Sequence, residues 1–174
     1  MILPLFRRPR RGDTITALYG AIVAQARSPA FYRDYAVPDT LDGRFELILM
    51  HMALVLQRLG TQTELQPVGQ EIFDLFCTDM DRNLREIGIS DVKVPKEMER
   101  IGAAFYGRKA AYDVALKSAT EDGLVEAISR NVYASPEPPP NAERLAAYMR
   151  KAAAALEGQS SAEIGRGALK FPEA

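Results

Sequence analysis

Apolar residues recur at helical spacing seven times along this chain, and nowhere does strand-like alternation persist beyond a few residues. That pattern predicts an all-α protein, a compact bundle of about six or seven helices. After Asp13, an expected N-cap, Ile15, Leu18, Tyr19, Ile22 and Val23 form the first stripe. Ser28-Pro29 reads as the cap and first position of a short helix through Tyr35. The third helix is expected over Leu41–Leu59, ending at Gly60. Its apolar residues run nearly all round, with Phe45, Ile48, Leu49, Met52, Val55, Leu56 and Leu59 on one face and Leu47, Met50 and Leu54 off it. A helix with no polar face belongs at the centre of a bundle.

Pro67 precedes a fourth stripe, Val68, Ile72, Leu75, Phe76, Met80, Leu84 and Ile87, with Gly88 as its stop. The fifth begins around Pro95 and runs to about Leu116. Gly102 and Gly107 inside it cost roughly 1 kcal/mol each relative to alanine, which predicts a neighbouring helix packed closely there. A sixth helix is expected over residues 121–133. The segment 135–140, SPEPPP, reads as a stiff linker, and Asn141 as the cap of an alanine-rich seventh helix to about Glu157. The tail beyond Gly158 is expected to be loosely held, with one short turn near Ser161–Ile164. The chain thus divides into a basic arm (1–12), a helical domain (13–134), the linker (135–140) and a C-terminal helix with its tail (141–174).

With 174 residues, 47% of them hydrophobic, the chain can bury roughly 70% of its unfolded surface and needs no disulfide or metal to fold. Its net charge of −1 conceals an asymmetry. Arg7, Arg8, Arg10 and Arg11 give residues 1–12 a charge of +4; the remainder holds 18 basic and 23 acidic residues, or −5. A mildly acidic body does not attract DNA. The arm is a small basic patch that suits contact with anionic lipid or RNA, and Phe6 beside its arginines fits a lipid surface. The longest uncharged run, Thr14–Ala26, has 13 residues, too few to span a bilayer. The expected location is the cytoplasm, with the arm in peripheral contact with a membrane.

Motifs for catalysis or metal binding break down on inspection. Asp79-Met80-Asp81 resembles the start of a calcium loop, but Leu84 and Ser90 stand where glycine and glutamate are required. The better account pairs Asp81 with Arg85 and Arg82 with Glu86, one turn apart on a solvated helix face. Gly102–Lys109 lacks the Lys-Ser/Thr ending of a phosphate loop. His51, the single histidine, lies in the most apolar helix and is expected to be a hydrogen-bonded core residue; Cys77 is expected to be a small buried hydrophobe. No catalytic residue, metal site or cofactor is expected.

Two stretches carry a resemblance. Arg44–Leu59 is RFELILMHMALVLQRL, and Leu75–Leu116 is LFCTDMDRNLREIGISDVKVPKEMERIGAAFYGRKAAYDVAL. Together they resemble the ubiquinol–cytochrome c chaperone family, over about residues 14–134 and excluding the proline segment and all that follows. The resemblance implies a helical, non-enzymatic assembly chaperone of the bc1 complex. It would bind newly made cytochrome b near the inner membrane and the ribosome exit, before haem and partner subunits are in place. Lacking the long presequence of mitochondrial members, the chain is expected to be a bacterial form. Client or partner contacts are expected at Asp79, Asp81, Arg85, Lys96, Phe105, Tyr106, Arg108 and Tyr112, and membrane contacts at Phe6, Arg7, Arg8, Arg10 and Arg11. Two other functions fit the residues: a small helical enzyme using Asp79 and Asp81 with Mg²⁺, and a peripheral membrane scaffold.

Overall fold

The computed structural model describes residues 10–118, 120 and 122–174, and among these the only regular elements are helices. They are α1 (Arg11–Ala26), α2 (Pro29–Arg33), α3 (Leu41–Gly60), α4 (Gln66–Glu86), α5 (Val94–Lys117), α6 (Asp122–Asn131), α7 (Pro140–Glu157) and α8 (Ser161–Ile164). All seven expected helices are present, the short α2 among them, and the turn expected near Ser161–Ile164 forms α8.

α3 is the central helix, packing against α1, α4, α5 and α7. Leu47, Leu49, Met50, His51 and Met52 are all fully buried, which no helix with a solvent-facing side could achieve. Thr40 caps it, its hydroxyl accepting from the Gly43 N–H at 3.1 Å. Gly43 is required here, because a Cβ would stand 2.0 Å from the Pro38 carbonyl oxygen. α1 and α4 lie side by side and parallel. The Arg11–Glu71 ion pair and the Tyr19–Asp79 hydrogen bond share the same sixty-residue offset.

Several boundaries differ from the sequence expectation. α1 begins at Arg11, so Asp13 sits in its first turn, where a carboxylate favours the helix dipole, and Arg10 takes the cap position. α2 stops at Arg33, before Ala36 adopts a left-handed φ of 51°. α7 starts at Pro140 with Pro139 at the cap, placing Asn141 inside the helix; proline already has the φ that a first helical position needs. Gly88 does close α4, at φ 89°.

Gly102 and Gly107 are not packing contacts: nothing lies within 4 Å of where either Cβ would be. Each has room for a side chain, so neither glycine is demanded by a neighbouring helix. The tail is not loose either. Gln159 bonds both the carbonyl (2.7 Å) and the N–H (3.0 Å) of Lys170, Gln25 donates to the Pro172 carbonyl at 3.0 Å, and the Phe171 ring meets His51 edge-on at 5.3 Å. The proline segment brings α7 back onto α3 and α6, where Leu145, Met149 and Leu156 are fully buried.

Candidate functional site

Four helices, α2, α3, α4 and α5, leave a depression between them that no other element among the described residues fills. Its floor is apolar: Phe45 and Ile48 from α3, Met80 and Leu84 from α4, with Ile101 of α5 at one side. Its volume is about 1140 Å³. Leu41 and Ile87 stand at its mouth, 73% and 64% exposed, although leucine and isoleucine at helical stripe positions are ordinarily covered. The rim is charged and balanced, with Arg27, Arg33 and Arg44 facing Asp39, Asp42 and Asp79.

The far wall, built from α2, is held from behind. Phe31 is fully buried against Tyr35, His51 and Tyr148. Arg144 of α7 donates to the Asp34 carbonyl at 2.8 Å and lies over the Tyr35 ring at 4.7 Å, and the Tyr133 hydroxyl donates to the Tyr35 carbonyl at 2.7 Å. A five-residue helix has little stability of its own, so these contacts are what fix the wall. Most rim charges have local partners: Arg33 pairs with Asp34, Arg44 with Asp39 at 2.7 Å, and Arg82 with Asp79.

The residues expected as client contacts do not gather at one place. Asp79 lines the groove, its carboxylate accepting from the Tyr19 hydroxyl at 2.9 Å and from Arg82. Burial, reinforced by that carboxylate, pushes the Tyr19 hydroxyl up and keeps it a donor. Asp81 accepts from Arg85 at 2.7 Å, and Arg85 also reaches Asp91, joining the end of α4 to the following loop. The hydrogen bond from Arg85 holds the Asp81 carboxyl below its ordinary range. The expected Arg82–Glu86 pair is present at 3.9 Å. Lys96 is exposed in the first turn of α5.

Arg108 turns inward. Its Nε donates to Glu46 at 2.6 Å, clamping α5 to α3, and the Glu46 side chain is only 9% exposed. Burial pushes the Glu46 carboxyl up, while Arg108 opposes that shift and stabilises the charged form. Phe105 is buried in an aromatic cluster with Phe73, at 5.1 Å, and Phe76. Tyr112 is buried too, its hydroxyl without a hydrogen-bond partner among the described residues. Tyr106, 57% exposed, borders a separate pocket of about 180 Å³ between α3, α4 and α5, the size of one side chain. Of the arm, Phe6, Arg7 and Arg8 lie outside the described residues; Arg10 is exposed and Arg11 is paired with Glu71.

His51 is the hydrogen-bonded core residue expected. Its Nδ1–H donates to the Leu47 carbonyl at 2.7 Å, and Nε2 accepts from the Tyr148 hydroxyl at 2.9 Å, which in turn accepts from Gln25 at 2.9 Å. Burial lowers its pKa to about 4, so the ring is neutral at pH 7. Cys77 is half-buried, and burial raises its thiol. Among the described residues, no three His, Cys, Asp or Glu side chains converge as a metal site would require, and no helix is long and apolar enough to cross a membrane. Asp79 and Asp81 are each committed to an arginine, and only Asp79 lines the groove.

Nothing in the sequence separates the groove residues from those of the core. Phe45, Ile48, Met80, Leu84 and Ile87 all belong to helical stripes, and a stripe does not say whether a neighbour covers it. The rim arginines Arg27, Arg33 and Arg44 carried no motif; only tertiary structure assembles them.

A helical bundle with an apolar groove and a balanced charged rim offers a site where another molecule can bind. The chain belongs to the ubiquinol–cytochrome C chaperone family, whose pattern matches residues 33–171. That match crosses the proline segment and takes in α7, which the sequence resemblance had left out. The chain is also similar to a solved structure, the Cbp3 homolog from Brucella abortus, with 36% identity and a TM-score of 0.86 over 94% of this chain and 91% of that one. Among curated proteins, none matches the chain.

Proposed function

We propose that this chain is an assembly chaperone of the ubiquinol–cytochrome c reductase (bc1) complex, and that its client is newly made cytochrome b at the cytoplasmic face of the inner membrane. Family membership supports the role, and one observation of geometry carries the mode of action. A groove of about 1140 Å³ with exposed Leu41 and Ile87 at its mouth offers apolar surface that a compact monomer would otherwise bury. A holder of an unassembled membrane subunit must present such surface permanently, on elements rigid enough not to collapse over it. The groove walls meet that need, because α3 is central and α2 is pinned from behind.

In this reading Asp79 and the groove arginines orient the client, while Arg108, Phe105 and Tyr112 act by holding α5 in place. Arg10 and its neighbours in the arm contact anionic lipid. Nothing in this role calls for a catalytic group or a cofactor. A photo-cross-linking residue placed at Leu84 and, separately, at Val114 tests the client directly in cells. Cross-links to cytochrome b from position 84 and not from 114 are expected, with loss of b-type haem absorbance in a deletion strain. Normal bc1 activity in the deletion strain, with no cytochrome b adduct at 84, would sink the proposal.

A further inference from the structure

Helix packing rules say more about the groove than its volume does. On α3, Leu41, Phe45 and Ile48 follow each other at i, i+4 and i+7; on α4, Met80, Leu84 and Ile87 repeat the same spacing. Each row is a ridge about 10 Å long, two turns of helix. Two such ridges beside an empty furrow are half of a helix-packing interface, and the shape they accept is a third ridge of the same kind. A peptide added as a β-strand would need a sheet edge to pair with, which helices with internally paired backbones do not offer. At about 1140 Å³ the groove exceeds the usual 300–1,000 Å³ of small-ligand sites, so a chain segment fits it better than a metabolite.

Charge narrows the occupant further. Three arginines and three aspartates line the groove, and Arg33, Arg44 and Asp79 are already neutralised by salt bridges within the chain. A balanced rim whose charges are mostly paired offers few partners to a strongly charged amphipathic peptide of either sign, whereas an uncharged apolar segment needs none and can leave the rim charges in water. The geometry points to an uncharged apolar helix of two to three turns, of the kind found in membrane-spanning segments, as the occupant of the groove. This rests on the reading that the chain holds a membrane-protein client, and adds the form in which the client is held.

The test uses the full chain and a fluorescein-labelled peptide of fourteen residues. Leucines stand at i, i+3 and i+7 on an Ala/Ser background, with a hydrocarbon staple on the opposite face keeping the peptide helical. Fluorescence anisotropy should show binding at least tenfold tighter than for the same peptide unstapled and carrying a central proline. Ile87→Glu and Leu41→Glu should each weaken it at least tenfold with unchanged melting temperature, since both side chains are largely exposed. Val114→Glu, 73% exposed on another face, should leave it unchanged. Equal binding of the proline peptide would overturn the helical form, as would binding indifferent to both groove substitutions. Concentration-dependent dimers abolished by Ile87→Glu, with no peptide binding, would make a second copy the occupant and overturn the assignment. These outcomes separate from the client question. Cytochrome b adducts at position 84 with no helix preference sink only the inference; helix binding in vitro, with normal bc1 activity in the deletion strain and no cytochrome b adduct at 84, sinks only the proposed function.

Discussion

The two faces of α2 show what distinguishes a sealed region of this protein from an open one. Its inner face, through Phe31, closes over His51 and Tyr148, where aromatic rings meet at 5.0–5.7 Å and both nitrogens of the histidine are hydrogen-bonded. Its outer face, through Tyr32 and Arg33, looks across the groove to α4, and there no described residue covers the apolar side chains. The same short helix serves as core on one side and as binding wall on the other. Stability is therefore concentrated behind the wall, which leaves the exposed face free of structural duty.

That contrast can be broken most forcefully from the sealed side. Phe31→Ala removes a ring with no exposed surface and should destabilise the fold by about 3–5 kcal/mol, read by urea unfolding. A result under about 1 kcal/mol would mean that α2 is not anchored as described. The next largest effect is a pH dependence. His51 has a folded pKa of about 4 against an ordinary value near 6.5, so the unfolded chain binds the extra proton first. Stability is fully present above about pH 6.5 and falls as pH drops toward 4, by on the order of 3 kcal/mol in total. Melting temperatures measured from pH 7 to 4.5 should decline, and the slope should flatten in His51→Gln.

A third perturbation lies between the two regions. Arg108→Ala leaves the nearly buried Glu46 without its partner and should cost about 2–3 kcal/mol, discounted from the fully buried case because Arg108 is a quarter exposed. Its melting temperature should recover partly in Arg108→Ala/Glu46→Gln, which removes the stranded charge; a client contact alone would show no such rescue. The smallest change in stability belongs to the open side. Ile87→Ser should alter unfolding by no more than about 0.5 kcal/mol, yet reduce cytochrome b cross-linking from position 84 severalfold. A large loss of stability there would show Ile87 to be core after all.

Much of this fold is legible in the sequence alone. The all-round apolar run at Leu41–Leu59 marked the central helix, Gly88 marked the end of α4, and the single histidine in that run was correctly placed in the core. The candidate site was legible only in part. Eight residues of the ordered 75–116 series were expected at a client surface, and the structure sends them different ways: Asp79 to the groove, Phe105, Arg108 and Tyr112 inward, Asp81 and Arg85 to the end of α4. Gly102 and Gly107 were expected beneath a neighbour and face open space instead. The tail was expected to be loose, yet Gln159 and Gln25 bind its backbone; a short polar segment carries no periodic signal of docking.

The sequence by itself determined which residues are apolar, at what period they recur and where helices must stop, because those follow from local sterics and from the 3.6-residue turn. It therefore determined that the chain is a helical bundle with α3 at its heart. Only the tertiary structure decided which stripes are covered. Leu49 and Ile87 are alike in kind and both lie on predicted stripes, but one is sealed and the other is 64% exposed. The difference is the presence or absence of a neighbouring helix tens of residues away in sequence, and burial by distant chain is a property no local pattern contains.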